Sequence, residues 1–248
     1  MQNDLIERLE KCYTGAVYDV LRERGNKNTI LPHEIKSVDS TKKLAGRIWT
    51  CSGEIDETID KDTSMLSWTE MLSKAPAESV VICQPNDGTI AHMGELSAET
   101  LKYKGVKGYI VDGGCRDVEF IKNLGFPVFC KYFTPSDVVC RWKITSLGEP
   151  ITIGGLEIRS GDYVLGDIDG VVIIPNDIAV LGFTDGPMYK FIKPSITCVN
   201  QHGEYLGKYS AKILLDRIIL APKLLHSFWR EILTCYNWLT KTTLGHRL

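Results

Sequence analysis

Leu5, Leu9, Tyr13, Val17 and Val20 recur at helical spacing between Asp4 and Arg24, and Gly25 stands where a left-handed residue ends a helix. The spacing predicts one amphipathic helix over this stretch, with its apolar stripe turned to the core. Apolar and β-branched runs predict strands over 46–51, 79–83, 108–111, 127–132, 162–165 and 171–175, with helical patterns over 65–74, 97–104 and 118–124 between them. The strands are short and Gly turns are frequent. The expected fold is therefore α/β, a compact β core of swivelling β/β/α or barrel-like form surrounded by helices. The G-x-G-x-x-G turn that opens a doubly wound dinucleotide-binding sheet is absent.

Composition narrows this picture. With 248 residues, 44% hydrophobic and 24% charged, the chain is neither fibrous nor low in apolar residues, and it is long enough to bury a core without staples. Its formal charge of -2 offers no uniform basic field, so nucleic acid is not an expected partner. The opening MQNDLIERLE holds three acids and no apolar signal core, and the eight cysteines form no C-x-x-C pair. Reduced thiols and a cytoplasmic location are expected; the terminal His246-Arg247-Leu248 only weakly resembles a peroxisomal address.

Charge also divides the chain. Residues 1–179 carry 20 basic and 27 acidic side chains, whereas 180–248 carry 9 and 4, which separates a main domain (1–179) from a compositionally different, partly helical tail (180–248). In the tail, Leu224, Leu225, Phe228, Trp229, Ile232, Leu233 and Tyr236 form a wide apolar helix face after Pro222, interrupted by too many charges for a membrane span.

Candidate chemistry gathers between Gly94 and Asp117. The segment GELSAETLKYKGVKGYIVDGGCRDVEF reads as turn, helix, turn, strand, turn, helix, which returns the chain so that the Gly94 and Arg116 loops lie at one end of the sheet. Gly94, Glu95, Leu96 and Ser97 open a helix whose unpaired N–H groups suit a carboxylate. Arg116 adds a planar fork of donors, and Asp117 suits a hard divalent cation that keeps most of its water. Each has a plainer role open to it: Ser97 and Asp117 as helix caps, the Arg116–Asp117 neighbours as a surface ion pair, Glu95 as a partner of the helix dipole. His92 has the chemistry of a general base, although a lone His beside a loop is more often a structural side chain, and Asp112 is placed to shape its turn.

GELSAETLKYKGVKGYIVDGGCRD, followed by GFPVF and GDYVLGDIDGVVIIP, resembles the RraA-like family, which includes class II 4-hydroxy-4-methyl-2-oxoglutarate aldolases. The resemblance covers roughly residues 5–179, TGAVYDVL and AGRIWT included. It implies a β core surrounded by helices, assembled as a homotrimer or dimer of trimers with the active site near a subunit boundary. Carried onto this chain, it implies that Gly94, Glu95, Leu96, Ser97 and Arg116 bind the substrate and that Asp117 holds Mg²⁺ or Mn²⁺. It also gives Glu95, through a water, and Arg116 the catalytic work. The implied reaction is cleavage of a 4-hydroxy-2-oxo acid to pyruvate, with oxaloacetate decarboxylation as a side activity. Other relatives resemble a ribonuclease inhibitor, which makes a non-catalytic binding protein the alternative.

Two positions depart from the pattern. Glu95 stands where some of the aldolases have Asp, which lengthens the reach to a bound water by one methylene. After VVIIP the family continues into a charged helix that supplies an acid to the neighbouring subunit, whereas this chain runs into VLGFTDGPMYKF, with Glu204 as the candidate for that acid.

Overall fold

The structure, a computed structural model, describes residues 2–178 and two short strands at 181–182 and 197–198. Apart from those strands, the tail from 180 onward lies outside the described residues, and with it Glu204 and the apolar face after Pro222. Helices α1 (Gln2–Glu10) and α2 (Thr14–Glu23) lead into β1 (Lys36–Ser37) and the long β2 (Leu44–Ile55). Helices and strands then alternate through α3 (Lys61–Lys74), β3 (Ser79–Gln84), α4 (Glu95–Tyr103) and β4 (Gly108–Val111). A short β5 (Gly114–Cys115) precedes α5 (Val118–Leu124), β6 (Val128–Cys130) and β7 (Tyr132–Phe133). The last strands of the barrel region are β8 (Trp142–Leu147), β9 (Ile151–Ile153), β10 (Leu156–Ile158), β11 (Tyr163–Gly166) and β12 (Val171–Ile174).

Strands β2, β3, β4 and β6 run parallel, each joined to the next across a helix. β3, with the sequence SVVICQ, is buried at every position but the last, as a parallel strand covered on both faces must be. The other side of β2 is shared: β11 pairs antiparallel along Leu44–Arg47, and β8 along Cys51–Ile55 after a register shift at Ser52/Gly53. β12 extends the sheet beyond β11, and β1 extends it beyond β6.

Residues 29–37 bring the two edges together. Leu31 donates to the Val171 carbonyl at 3.0 Å and Ile173 donates to that of Thr29 at 2.7 Å, while Lys36 and Ser37 pair with Cys130 and Phe129. The result is a nearly closed barrel, with helices packed outside it. Its interior holds Ile48, Val80, Ile82, Ile110, Phe129 and Val164 among other buried aliphatic residues.

The predicted strands and central helices are present, β2 longer than its predicted 46–51, while β8, β9 and β10 are not among the predicted strands; two predicted stretches are broken. The first helix is interrupted. Tyr13 is extended (φ -120, ψ 153), and Thr14 starts a second helix with its N–H and hydroxyl both on the buried carboxylate of Asp167, at 2.8 and 2.7 Å. A contact across 153 residues thus overrides a continuous helical pattern. The strand expected over 127–132 breaks at Lys131, whose N–H leaves the sheet for the Gly113 carbonyl at 2.9 Å. No helix among the described residues is long and apolar enough to cross a membrane.

Candidate active site

The carboxyl ends of β3, β4 and β6 deliver three loops to one place, where ligand sites of α/β sheets gather. Backbone hydrogen bonds stitch the loops into one rim. His92 donates to the Gly114 carbonyl and Arg116 to that of Met93, each at 2.9 Å; Ala91 donates to Ser136 at 2.9 Å and Thr134 to Cys115 at 3.1 Å. Glycine is needed where this rim is tightest. A Cβ on Gly94 would lie 2.8 Å from Asp117 Oδ2, and one on Gly113 would lie 2.7 Å from His92 Nδ1.

Within the rim is a cavity of about 420 Å³ lined by Gly94, Glu95, Leu96, Ser97, Arg116 and Asp117, so the structure brings every sequence-predicted site residue to one place. Gly94 is the N-cap of α4. Ser97 therefore sits in the first turn, and its hydroxyl accepts a hydrogen bond from Trp68 Nε1 at 2.8 Å. Asp117 is the N-cap residue of α5 in left-handed conformation (φ 55, ψ 38), yet its side chain does not cap that helix. Oδ2 instead accepts the Glu95 N–H at 3.0 Å, so one carboxylate closes the start of the neighbouring helix and holds the two loops together. No hydrogen bond to Oδ1 is formed among the described residues.

Arg116 stands between two acids. Its Nε lies 3.5 Å from Asp117 Oδ2, and its Nη1 donates to Asp137 Oδ2 at 3.0 Å. All three side chains remain more than a third exposed, so they form a clamp open to a ligand. Asp137 was not among the residues singled out in the sequence. It lies in TPSD, some twenty residues beyond Arg116, and the Pro-Ser-Asp turn was the only signal available.

His92 is not placed as a base. It is fully buried, its ring packs edge-on to Trp142 at 5.1 Å, and neither nitrogen has a hydrogen-bond partner. Burial lowers its pKa to about 4, against the opposing pull of Asp87, whose Oδ2 is 3.5 Å from Nε2. The ring is neutral at physiological pH. Asp112 does more than shape its turn, forming an ion pair with Lys131.

Asp117, whose Oδ2 takes the Glu95 N–H, has Oδ1 left over and could hold a cation of the magnesium type. Among the described residues no group of three or more His, Cys, Asp or Glu is assembled that could cage a metal, and Mg²⁺ is commonly held by one or two carboxylates, with water and substrate oxygens completing its shell.

A nearly closed barrel-like sheet surrounded by helices is the fold of the class, and the comparisons agree with that fold. The chain belongs to the RraA-like family (Aldolase/RraA), whose model matches residues 14–173. It is 38% identical over 175 residues to a Halalkalibacterium halodurans protein provisionally named a 4-hydroxy-4-methyl-2-oxoglutarate aldolase, covering 69% of this chain and 77% of that one. A solved structure from a set on novel cellulases of gut-associated microbes matches with a TM-score of 0.68 at 35% identity, covering 72% of this chain and 80% of that one. Streptomyces coelicolor RraAS2, described as an unusual member of the RNase ES inhibitor RraA family, shares the fold. Its TM-score is 0.63 at 24% identity, over 70% of this chain and 86% of that one.

Proposed function

We propose that the chain is a divalent-metal-dependent aldolase that cleaves 4-hydroxy-4-methyl-2-oxoglutarate or a similar 4-hydroxy-2-oxo acid to pyruvate, with oxaloacetate decarboxylation as a side activity. The observation that carries this reading is the clamp of Arg116, Asp117 and Glu95 at the start of α4, inside a cavity large enough for a small oxo acid. A homotrimer or dimer of trimers with this cavity at a subunit boundary belongs to the same reading.

In the reaction the C3–C4 bond breaks, the C4 hydroxyl loses its proton and becomes a carbonyl, the electron pair left on C3 delocalises onto the 2-keto oxygen, and C3 then takes a proton from water to give pyruvate. The first turn of α4 lines the cavity, and its N–H groups, which lack intrahelical partners, would serve the substrate carboxylate, except that of Glu95, which is already taken by Asp117. Arg116 keeps donors beyond the one engaged with Asp137, enough to hold a keto or hydroxyl oxygen in a fixed plane. Glu95 has no ion-pair partner among the described residues, so its carboxylate is free to take the hydroxyl proton through a water. Mg²⁺ or Mn²⁺ held by Asp117 would supply Lewis-acid stabilisation of the negative charge growing on the keto oxygen.

The test is pyruvate release from 4-hydroxy-4-methyl-2-oxoglutarate and from oxaloacetate, with and without Mg²⁺ and with metal content measured. Asp117→Asn suits the left-handed backbone, which Asn tolerates, and removes the charge while keeping an oxygen for the Glu95 N–H. It should lose both activities together. Glu95→Gln should impair cleavage more than decarboxylation, because carbon dioxide leaves without a hydroxyl proton being removed. Cleavage retained by metal-free Asp117→Asn would sink the mechanism. A folded, metal-loaded protein inactive on both substrates would favour the binding-protein role instead.

A further inference from the structure

Arg116 and Asp117 are neighbours of opposite charge, yet their pair is held open. Nε lies 3.5 Å from Asp117 Oδ2, too far for a hydrogen bond, whereas a guanidinium beside a carboxylate commonly closes on it in a short, two-pronged contact. Two features hold it there. The backbone of Gly94 lies against the Arg116 side chain, since a Cβ at that position would be 3.1 Å from both Cγ and Nε. At the far end of the same side chain, Asp137 Oδ2 accepts the Nη1 hydrogen bond at 3.0 Å.

Asp137 is itself fixed. Its Oδ1 accepts the Val139 N–H at 3.2 Å, which ties the carboxylate into its own turn. That turn is fastened to the other two loops of the rim and to α3: Ser136 accepts from Ala91 at 2.9 Å, Thr134 donates to Cys115 at 3.1 Å, and the Val138 carbonyl accepts the Ser64 hydroxyl at 3.1 Å. Both oxygens of Asp137 are thus engaged. Arg116 Nη2 and Asp117 Oδ1, by contrast, make no hydrogen bond among the described residues, and all three side chains line the cavity.

We infer that Asp137 is a positioning residue: it holds the guanidinium of Arg116 away from Asp117, leaving Nη2 for an oxygen of the substrate and Asp117 Oδ1 for the cation. This rests on the aldolase reading, which gives Arg116 a substrate to hold, and adds to it a residue that acts through Arg116. Charge alone predicts the opposite outcome. Asp137 places a negative charge beside an anion site, so if it were only a surface charge its removal would leave 2-oxo acid binding unchanged or tighten it. In a positioning role its removal weakens binding, because the guanidinium turns to Asp117 and presents fewer donors to the ligand.

Asp137→Asn separates the two. Asn forms the same kind of turn, and its single amide oxygen can serve Val139 or Arg116 but not both. Calorimetry gives the affinity of pyruvate for the Mg²⁺-loaded full chain, and oxaloacetate decarboxylation gives KM and kcat, with folding checked by circular dichroism. Asp137→Asn should weaken pyruvate binding about tenfold, short of the roughly hundredfold that a misplacement of about 1 Å can cost, and should lower kcat/KM mostly through KM. In an Arg116→Lys background, where no planar fork remains to be aimed, the same substitution should change pyruvate affinity by no more than about twofold. Unchanged or tighter pyruvate binding by Asp137→Asn overturns the inference and leaves the aldolase reading standing if the unaltered protein releases pyruvate. A full tenfold loss in the Arg116→Lys background also overturns it, because Asp137 would then act through its loop. Weakened binding that depends on Arg116, in a protein that turns over neither substrate, keeps the positioning role and overturns the aldolase reading. Absence of both binding and turnover in the folded, Mg²⁺-loaded protein overturns both.

Discussion

Along β3, Val80 and Ile82 enter the barrel interior while Val81 and Cys83 face the surrounding helices. The two sides differ in more than direction. The interior is aliphatic apart from Phe129, and its members come from strands all around the sheet. The helix side mixes Cys51, Cys83, Cys115 and Cys130 with Tyr109, Trp68 and Trp142, and His92 Nδ1 is buried there without a hydrogen bond. Such a group costs about 1–3 kcal/mol. The interior closes the fold by removing apolar surface from water. The helix side gives up some of that stability and supports the loops that carry the cavity.

If this division is sound, the largest effect should come from the interior and leave the cavity untouched. Ile82 is fully buried, and Ile82→Ala should cost about 2–5 kcal/mol in urea denaturation. Its affinity for 2-oxo acids should match the unaltered protein. A loss of ligand affinity comparable to the loss of stability would mean that the two sides are not separable.

The next effect belongs to the helix side and depends on pH. The pKa of His92 is about 4 in the folded protein and near 6.5 when exposed, so the unfolded chain binds the proton more readily between these values. The neutral ring's contribution is complete above about pH 6.5 and declines as pH falls toward 4, by at most ~3 kcal/mol. Denaturation measured at pH 7.5 and 4.5 should show the decline, and His92→Gln should flatten it. An unflattened profile would assign the acid sensitivity elsewhere.

The smallest free-energy effect should concern function alone. Arg116→Lys keeps the charge but not the planar fork, and should lower kcat/KM by about 10–100-fold, partly through KM, with stability unchanged within about 0.5 kcal/mol. Turnover like that of the unaltered protein would remove Arg116 from its role.

How much could be read from the residues followed from how local the cause was. The strand over 108–111 and the helix over 118–124 agree with the structure residue for residue, because burial and turn chemistry are written into short stretches there. The meeting of the Gly94 and Arg116 loops was legible from the strand between them. The break at Tyr13 was not, since it depends on Asp167 far along the chain. Asp137 escaped notice for the same reason: nothing in TPSD indicates which guanidinium it will meet. The neutral state of His92 required knowledge of the Trp142 ring and of a fully enclosed setting.

The approach of Gly94 to Asp117 has a consequence for descent. A side chain at position 94 would collide with the carboxylate that holds the neighbouring loop and would crowd Arg116 Cγ and Nε at 3.1 Å, so the bare backbone serves both members of the clamp. Selection therefore acts on the two positions jointly, although 22 residues separate them. A lineage that keeps Arg116 and Asp117 should keep the glycine, and one that replaces the glycine should have lost or moved the clamp.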